Sequence, residues 1–192
     1  MFERLAIPDV ILVTPKRHGD DRGYFSETFR ANAFEAAGIS GPFVQDNHSY
    51  SADVGVIRGL HFQAAPDAQA KLVRCTRGKV FDVAVDLRRG APSYGQYVSA
   101  ILSAETGTQL YVPAGFAHGF CTLVADCEVQ YKVTAYYNGQ SEYGVAWNDP
   151  HVAIDWPLSS NAPILSEKDA ALPMLDQLPE FFHYAAESGE GA

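Results

Sequence analysis

Two histidines in this sequence share a setting. His61 follows Gly55 after five residues, and His118 closes a Pro113-x-Gly115-x-x-His118 stretch that begins five residues after Gly107. Imidazole has an ordinary pKa of about 6.5, so either ring is suited to moving protons or to ligating a metal. In isolation each is more often a strand histidine whose polar atoms are satisfied by neighbours. Lys71 and Tyr131 have equally plain readings alone, as a solvated surface lysine and a packing aromatic. Asp169 stands three residues after Ser166, a spacing that suits a capping box in which the carboxylate turns back to a backbone N–H. Chemistry requires a fold that gathers these groups into one pocket.

The elements available to do so are strands. Phe81, Val83, Val85 and Leu87 alternate with Asp82, Ala84 and Asp86, which predicts a half-buried strand, and Arg89-Gly90-Ala91-Pro92-Ser93 predicts the turn after it. On this reading Asp82 and Asp86 face solvent or a polar barrel lining and stand outside the candidate site. Further strands are predicted at Gln96 to Leu102, Gln109 to Val112, Gly119 to Val124, Glu128 to Tyr136 and Val145 to Trp147. Their short spacing suits an antiparallel sandwich or barrel, so the fold class is all-β with a few short peripheral helices. One helix is predicted from an Asn32 cap to Gly38, and a helical turn from Ser166 to a stop at Pro173. No composition shift marks a linker, so residues 1–192 are expected to form a single domain with a frayed tail from about 187.

Composition narrows the partners. Of 192 residues 47% are hydrophobic, enough for a sizeable core, and the formal charge of −9 argues against broad nucleic-acid binding. It leaves room for one phosphorylated ligand, because a cluster drawn from Arg22, Arg58, Lys71 and Lys168 acts at a few ångströms while distant charges are screened beyond about 8–10 Å. No apolar run approaches the roughly 20 residues of a membrane span, and Met1 to Leu5 do not read as a signal peptide. The expectation is a soluble, cytoplasmic protein with no membrane partner. Cys75, Cys121 and Cys127 form no C-x-x-C pair and are read as reduced buried thiols. His18, His48, His151 and His183 are read as ordinary surface residues.

The glycine-led histidine stretches resemble the paired motifs of the cupins. In metal-binding cupins the first motif continues with a second His and a Glu; here those places hold Gln63 and Lys71. A protonated amine repels a divalent cation, so the resemblance implies a cupin frame that has lost its metal. A wider set of blocks runs from Arg22-Gly23-Tyr24-Phe25 to about Pro173. It includes Ser51 to Gln63, Arg74 to Leu87, Leu110 to Phe120, Gln130-Tyr131-Lys132, Trp147-Asn148-Asp149-Pro150 and Leu165 to Asp169. Together these resemble the dTDP-4-dehydrorhamnose 3,5-epimerase family. The resemblance implies a cupin-type jelly-roll β-sandwich, a homodimer with exchanged N-terminal strands, a dTDP-sugar substrate and no cofactor or metal.

It also implies roles. Inverting a carbon beside a ketone needs a base on one face, an acid on the other and a donor for the enolate oxygen. By resemblance His61 is the base, Asp169 its orienting partner, Tyr131 the acid, and Lys71 a holder of the oxyanion. Arg22 and Glu27, reaching across the dimer, join Gln45, Asn47, Arg58, His118, Glu142 and Lys168 as ligand contacts. Tyr24 and Phe25 are candidates for stacking on a nucleobase. Three rivals remain: an epimerase acting at a single carbon, a non-catalytic sugar-binding cupin, and a metal-dependent cupin enzyme.

Overall fold

The computed structural model describes residues 1–39, 41–158 and 162–185; the expected frayed tail lies outside them. The strands are, in order, β1 (Phe2–Arg4), β2 (Ile11–Val13), β3 (Arg17–Asp20), β4 (Gly23–Ser26), β5 (Gln45–Ser51), β6 (Ile57–Gln63), β7 (Lys71–Arg77) and β8 (Lys79–Asp86). They continue with β9 (Arg88–Arg89), β10 (Tyr97–Ser103), β11 (Gln109–Val112), β12 (Phe116–Thr122), β13 (Cys127–Val133), β14 (Glu142–Gly144) and β15 (Phe182–His183). Two short helices, α1 (Ala31–Ala36) and α2 (Glu167–Ala170), and a single 3-10 turn complete the described residues. None of these helices is long and apolar enough to cross a membrane.

Two antiparallel sheets face one another, in the order β1-β2-β11-β7-β13-β5 and β10-β8-β12-β6-β14. This is the expected cupin-type jelly-roll sandwich. The inter-sheet core is drawn from both: Val73, Leu110 and Val129 meet Val80, Ala84, Leu102, Phe116 and Phe120. A second apolar layer lies on the outside of the five-stranded sheet, where Val83, Val85, Leu60 and Phe62 are covered by Val152, Trp156, Leu175 and neighbouring aromatics.

That second layer corrects the reading of β8. The strand is not half-buried, because its Val83/Val85 face packs under the C-terminal segment while its Asp82/Ala84/Asp86 face looks into the sandwich. Asp82 and Asp86 are fully buried, so the solvent-facing alternative falls and the polar-lining one stands. The strand predicted at Val145 to Trp147 is also displaced. β14 ends at Gly144, Val145 still exchanges backbone hydrogen bonds with Leu60, and Trp147 joins the outer apolar layer. Beyond Val145 its apolar pattern reports packing rather than sheet pairing. The Glu128 to Tyr136 run stops early, at Val133, beyond which the Ala135 and Tyr136 carbonyls accept from the Gln69 and Gln63 side chains.

α1 does not start on Asn32. Its cap position is Arg30, which makes no side-chain capping bond, and Asn32 lies inside the helix. Burial of Phe34 against Ile11, Leu72 and Tyr111 sets where this helix sits, and Gly38 at φ +83° ends it as expected. A different glycine contact shapes the pocket. A Cβ on Gly119 of β12 would sit 2.8 Å from the Arg58 carbonyl and 3.2 Å from Gly59 Cα. Only two glycines let β6 and β12 come this close, and the register between them shifts at that point.

Candidate active site

His61 alternates on β6 with Leu60 and Phe62, which belong to the outer apolar layer, so its ring is directed into the sandwich. Its cross-strand partner on β12 is His118. On α2 the Ser166 hydroxyl accepts the Asp169 N–H at 3.0 Å and caps the turn. That leaves the Asp169 carboxylate for His61, with Oδ1 at 2.5 Å from Nε2. Cap and dyad therefore coexist: serine supplies the capping half, and the carboxylate does not turn back to the backbone. Burial alone would raise the Asp169 carboxyl, but hydrogen bonding and charge from His61, with help from Ser166 and Lys168, hold it below the usual carboxylate range.

Lys71 opens β7 and is not the solvated surface lysine of the isolated reading. It is buried, and its Nζ donates to the His61 carbonyl at 3.0 Å. Burial pulls its ammonium down to about 8, with the charges of Asp82 and Glu142 offsetting part of the loss. Tyr131 of β13 pairs with Asn47 on β5 and Val73 on β7. Burial pushes its phenol up, the Glu142 charge adds to that, and Arg58 opposes it. His61, Lys71 and Tyr131 all line two adjoining cavities of about 290 and 120 Å³.

The other candidates arrange themselves around those cavities. Gln45 and Asn47 lie on the inward face of β5, joined by a 2.9 Å hydrogen bond, and line the smaller one. His118 and Arg58 line the larger. Arg58 is held by Ser51 Oγ at 3.1 Å and the Tyr50 carbonyl at 2.9 Å. At the mouth, Lys168 Nζ meets Glu142 at 2.6 Å, and Tyr137 donates to the same carboxylate at 2.8 Å. Burial would raise the Glu142 carboxyl, yet Lys168 and Tyr137 bring it below its ordinary value. Arg22 and Glu27 do not line the cavities of their own chain. Arg22 is spent on Asp20 at the tip of the exposed β3–β4 hairpin, and Glu27 pairs with Arg30 at 3.5 Å. Tyr24 and Phe25 are exposed on the same hairpin, Tyr24 beneath the Arg17 guanidinium.

Where a metal-binding cupin has its second histidine, Gln63 donates to the carbonyls of Asp67 and Tyr136 and accepts from the Asn138 N–H. Its amide staples the loop before β14, with both its donors and its oxygen engaged by the backbone. With the Lys71 amine beside it, the set does not fit a divalent metal, and no group of three or more potential ligands occurs among the described residues.

Several contributors escape a reading of single residue types. Asp82 meets His118 Nε2 at 2.9 Å, Ser51 steadies Arg58, and Tyr137 joins the Glu142 pair. Asp82 carried a signal, a carboxylate on the same strand face as core residues, but the apolar alternants beside it pointed to the wrong layer. His18, His48, His151 and His183 are exposed, and the three cysteines are buried and unpaired, as expected.

The geometry can be set beside known proteins. The family described as dTDP-4-dehydrorhamnose 3,5-epimerase matches residues 4–177. A protein of that name from Sinorhizobium fredii is 54% identical over 183 residues, 95% of this chain and 93% of its own length. The crystal structure of a dTDP-6-deoxy-D-glucose-3,5-epimerase from Legionella pneumophila, in complex with dTDP-4-keto-L-rhamnose, superposes with a TM-score of 0.92 at 44% identity, covering 97% of this chain and 99% of that one. A 3'-monoepimerase from Streptomyces bikiniensis in complex with dTDP-quinovose follows at a TM-score of 0.83 and 35% identity, covering 90% and 86%. The family match, the fold and the near full-length coverage agree, and the chain belongs to the dTDP-4-dehydrorhamnose 3,5-epimerase family.

Proposed function

We propose that this protein epimerises dTDP-4-keto-6-deoxy-D-glucose at C3 and C5, giving dTDP-4-keto-L-rhamnose, with protein side chains alone. The observation that carries the reading is one cavity lined by a carboxylate-backed imidazole, a buried ammonium and a half-buried phenol, with the imidazole and the phenol on facing sheets. With Nε2 of His61 engaged by Asp169, Nδ1 is the nitrogen that takes the proton from the carbon beside the C4 ketone. The electron pair moves onto O4, and Lys71 Nζ–H bonds that oxygen. Tyr131 then donates its proton to the opposite face of the same carbon, so a C–H bond is broken on one side and remade on the other. Solvent returns the proton from His61 to the Tyr131 phenolate, and the cycle repeats at the second carbon. Burial favours this assignment, because it keeps Tyr131 in the phenol form needed for donation.

Arg58 is the diphosphate contact, its fork already oriented by Ser51 and Tyr50. Gln45, Asn47, His118, Glu142 and Lys168 complete the site within the chain. A homodimer with exchanged N-terminal strands would bring the remaining pair, Arg22 and Glu27, to the neighbouring pocket. Their exposure on and beside the hairpin favours that arrangement. The protein acts as one domain in the cytoplasm.

The test is incubation with dTDP-4-keto-6-deoxyglucose in D2O, followed by NMR of each sugar carbon. Deuterium at both C3 and C5 with inversion is expected. Label at one carbon would instead make it a mono-epimerase, and no label in a bound keto sugar would make it a non-catalytic binder.

A further inference from the structure

One buried group remains outside the reaction as described. Asp82, in the middle of β8, has no exposed surface and looks into the sandwich among Val80, Ala84 and Phe120. Its Oδ1 lies 2.9 Å from His118 Nε2, while its Oδ2 meets no hydrogen-bond partner among the described residues. Burying a carboxylate with one oxygen unpaired costs stability, so a role in packing alone does not explain it. Its two neighbours in the pocket do. His118 makes its only side-chain bond to Asp82 among the described residues, which leaves Nδ1 as the ring nitrogen available to the cavity. Lys71, buried on the facing sheet, is sustained in its charged form by Asp82 first and Glu142 second.

We propose that Asp82 is a positioning residue: it holds the His118 Nε2–H, presents Nδ1 to the ligand, and supplies the counter-charge that keeps the Lys71 ammonium in place beside the sugar. It touches no reacting atom. It acts through His118 and Lys71, as Asp169 acts through His61, so the pocket contains two carboxylate–imidazole dyads whose histidines face each other on one rung, with different tasks. The inference rests on the epimerase reading for its kinetic consequences and on geometry alone for the tautomer.

The other titratable groups around Lys71 are Arg58 and His61 on β6, His118 on β12, Tyr131 on β13, Tyr137 in the loop after it, Glu142 on β14, and Asp169 and Lys168 on α2. Asp82→Asn leaves each of them in place and removes one charge. Without that charge Lys71 loses its proton at lower pH than the value of about 8 it has now, so the alkaline limb of kcat moves to lower pH. The amide can also donate to His118 Nε2, which permits the other tautomer, as in a triad whose aspartate becomes asparagine. Turnover should fall by about tenfold to a hundredfold, mostly in kcat rather than KM.

Three readouts decide the matter on the full-length protein. Nitrogen-15 NMR of the unsubstituted protein should show His118 as the Nε2–H tautomer, whether or not the protein turns over. Asp82→Asn should retain or raise Tm, because a buried charge with only one hydrogen-bonded oxygen is neutralised, while kcat falls and its alkaline limb shifts down. An Nδ1–H tautomer in the unsubstituted protein would overturn the proposal. So would an Asp82→Asn protein that melts lower and keeps the original pH profile, since that is what a structural residue does.

Discussion

His61 and His118 stand opposite one another on a single antiparallel rung, and each is met at Nε2 by a carboxylate, Asp169 at 2.5 Å and Asp82 at 2.9 Å. The two carboxylates come from opposite sources. Asp169 arrives on a helical turn far along the chain from His61, with its backbone N–H capped by the Ser166 hydroxyl. Asp82 comes from the strand next to His118, and its carboxylate has no other hydrogen-bond partner among the described residues. A ring fixed at Nε2 has one nitrogen to offer, so both histidines are committed to acting through Nδ1.

The first prediction concerns that commitment at His61. His61→Asn should abolish deuterium exchange at both C3 and C5, and exchange at either carbon would remove His61 from the base role. Asp169→Asn should keep binding but lower kcat by about 10²- to 10⁴-fold, because the amide no longer enforces the tautomer. The folded Asp169 carboxyl lies below its ordinary value. Its contribution to stability is therefore present above the ordinary carboxylate pKa of about 3.9 and is lost as pH falls through the lower folded value. Acid unfolding curves of the two proteins should converge only in that acid range, and a constant gap down to the lowest pH would contradict the linkage.

Tyr131→Phe separates proton removal from inversion. The variant keeps His61, which can take a proton and return a deuteron from its own face, but it lacks the donor on the opposite face. Deuterium should still enter the sugar while product falls by about 10²- to 10⁴-fold. Equal loss of exchange and product would place Tyr131 in ligand binding rather than in proton return.

How much of this was legible in the sequence depended on whether a residue's neighbours were apolar. β8 and β10 to β13 announce themselves through their apolar runs, and Gln109 to Val112 is found with its observed ends. β5 could not be found that way. Its sequence, QDNHSYS, has no apolar face, because Gln45, Asn47 and Ser49 line a polar pocket on one side and Asp46, His48 and Tyr50 meet solvent on the other. A strand beside a polar site shows polar residues on both faces, and the hydrophobic pattern then carries no signal. The same limit hid Asp82, whose partner is set by a register between two strands some 36 residues apart in the chain. The His61–Asp169 pair, 108 residues apart, came from resemblance and not from spacing.

Lys71→Met should trade activity for a changed pH dependence of folding. Losing the oxyanion donor should cost about 10²- to 10³-fold in kcat. The folded ammonium titrates at about 8 against an ordinary 10.5, so the unfolded chain holds this proton more tightly. The resulting penalty, roughly 3 kcal/mol from a shift of that size, is full below pH about 8 and disappears as pH rises toward the unfolded value. Urea titrations should show the unsubstituted protein gaining stability relative to Lys71→Met across that window. Parallel stability curves would mean that Lys71 is not buried as an ammonium.

Gln63→His asks whether the lost metal site can be restored by its missing histidine. The imidazole would stand two residues from His61 on the same strand face, and His118 lies across the rung, so three ring nitrogens would be near one point. Two facts oppose binding. Lys71 Nζ, anchored at 3.0 Å on the His61 carbonyl, occupies that space with a positive charge, and His61 Nε2 is already tied to Asp169. The substitution also strips a side chain with three hydrogen bonds to the backbone around Asp67, Tyr136 and Asn138. Neutral imidazole has one donor and one acceptor, so at least one buried group is orphaned at a cost of about 1–3 kcal/mol. The single variant should therefore melt lower and, after dialysis against zinc or nickel, retain no stoichiometric metal by elemental analysis. Adding Lys71→Glu replaces the repelling amine with a carboxylate ligand, and the double variant should gain metal that the single one does not. One equivalent held by Gln63→His alone would show that the ammonium is not what keeps the ion out.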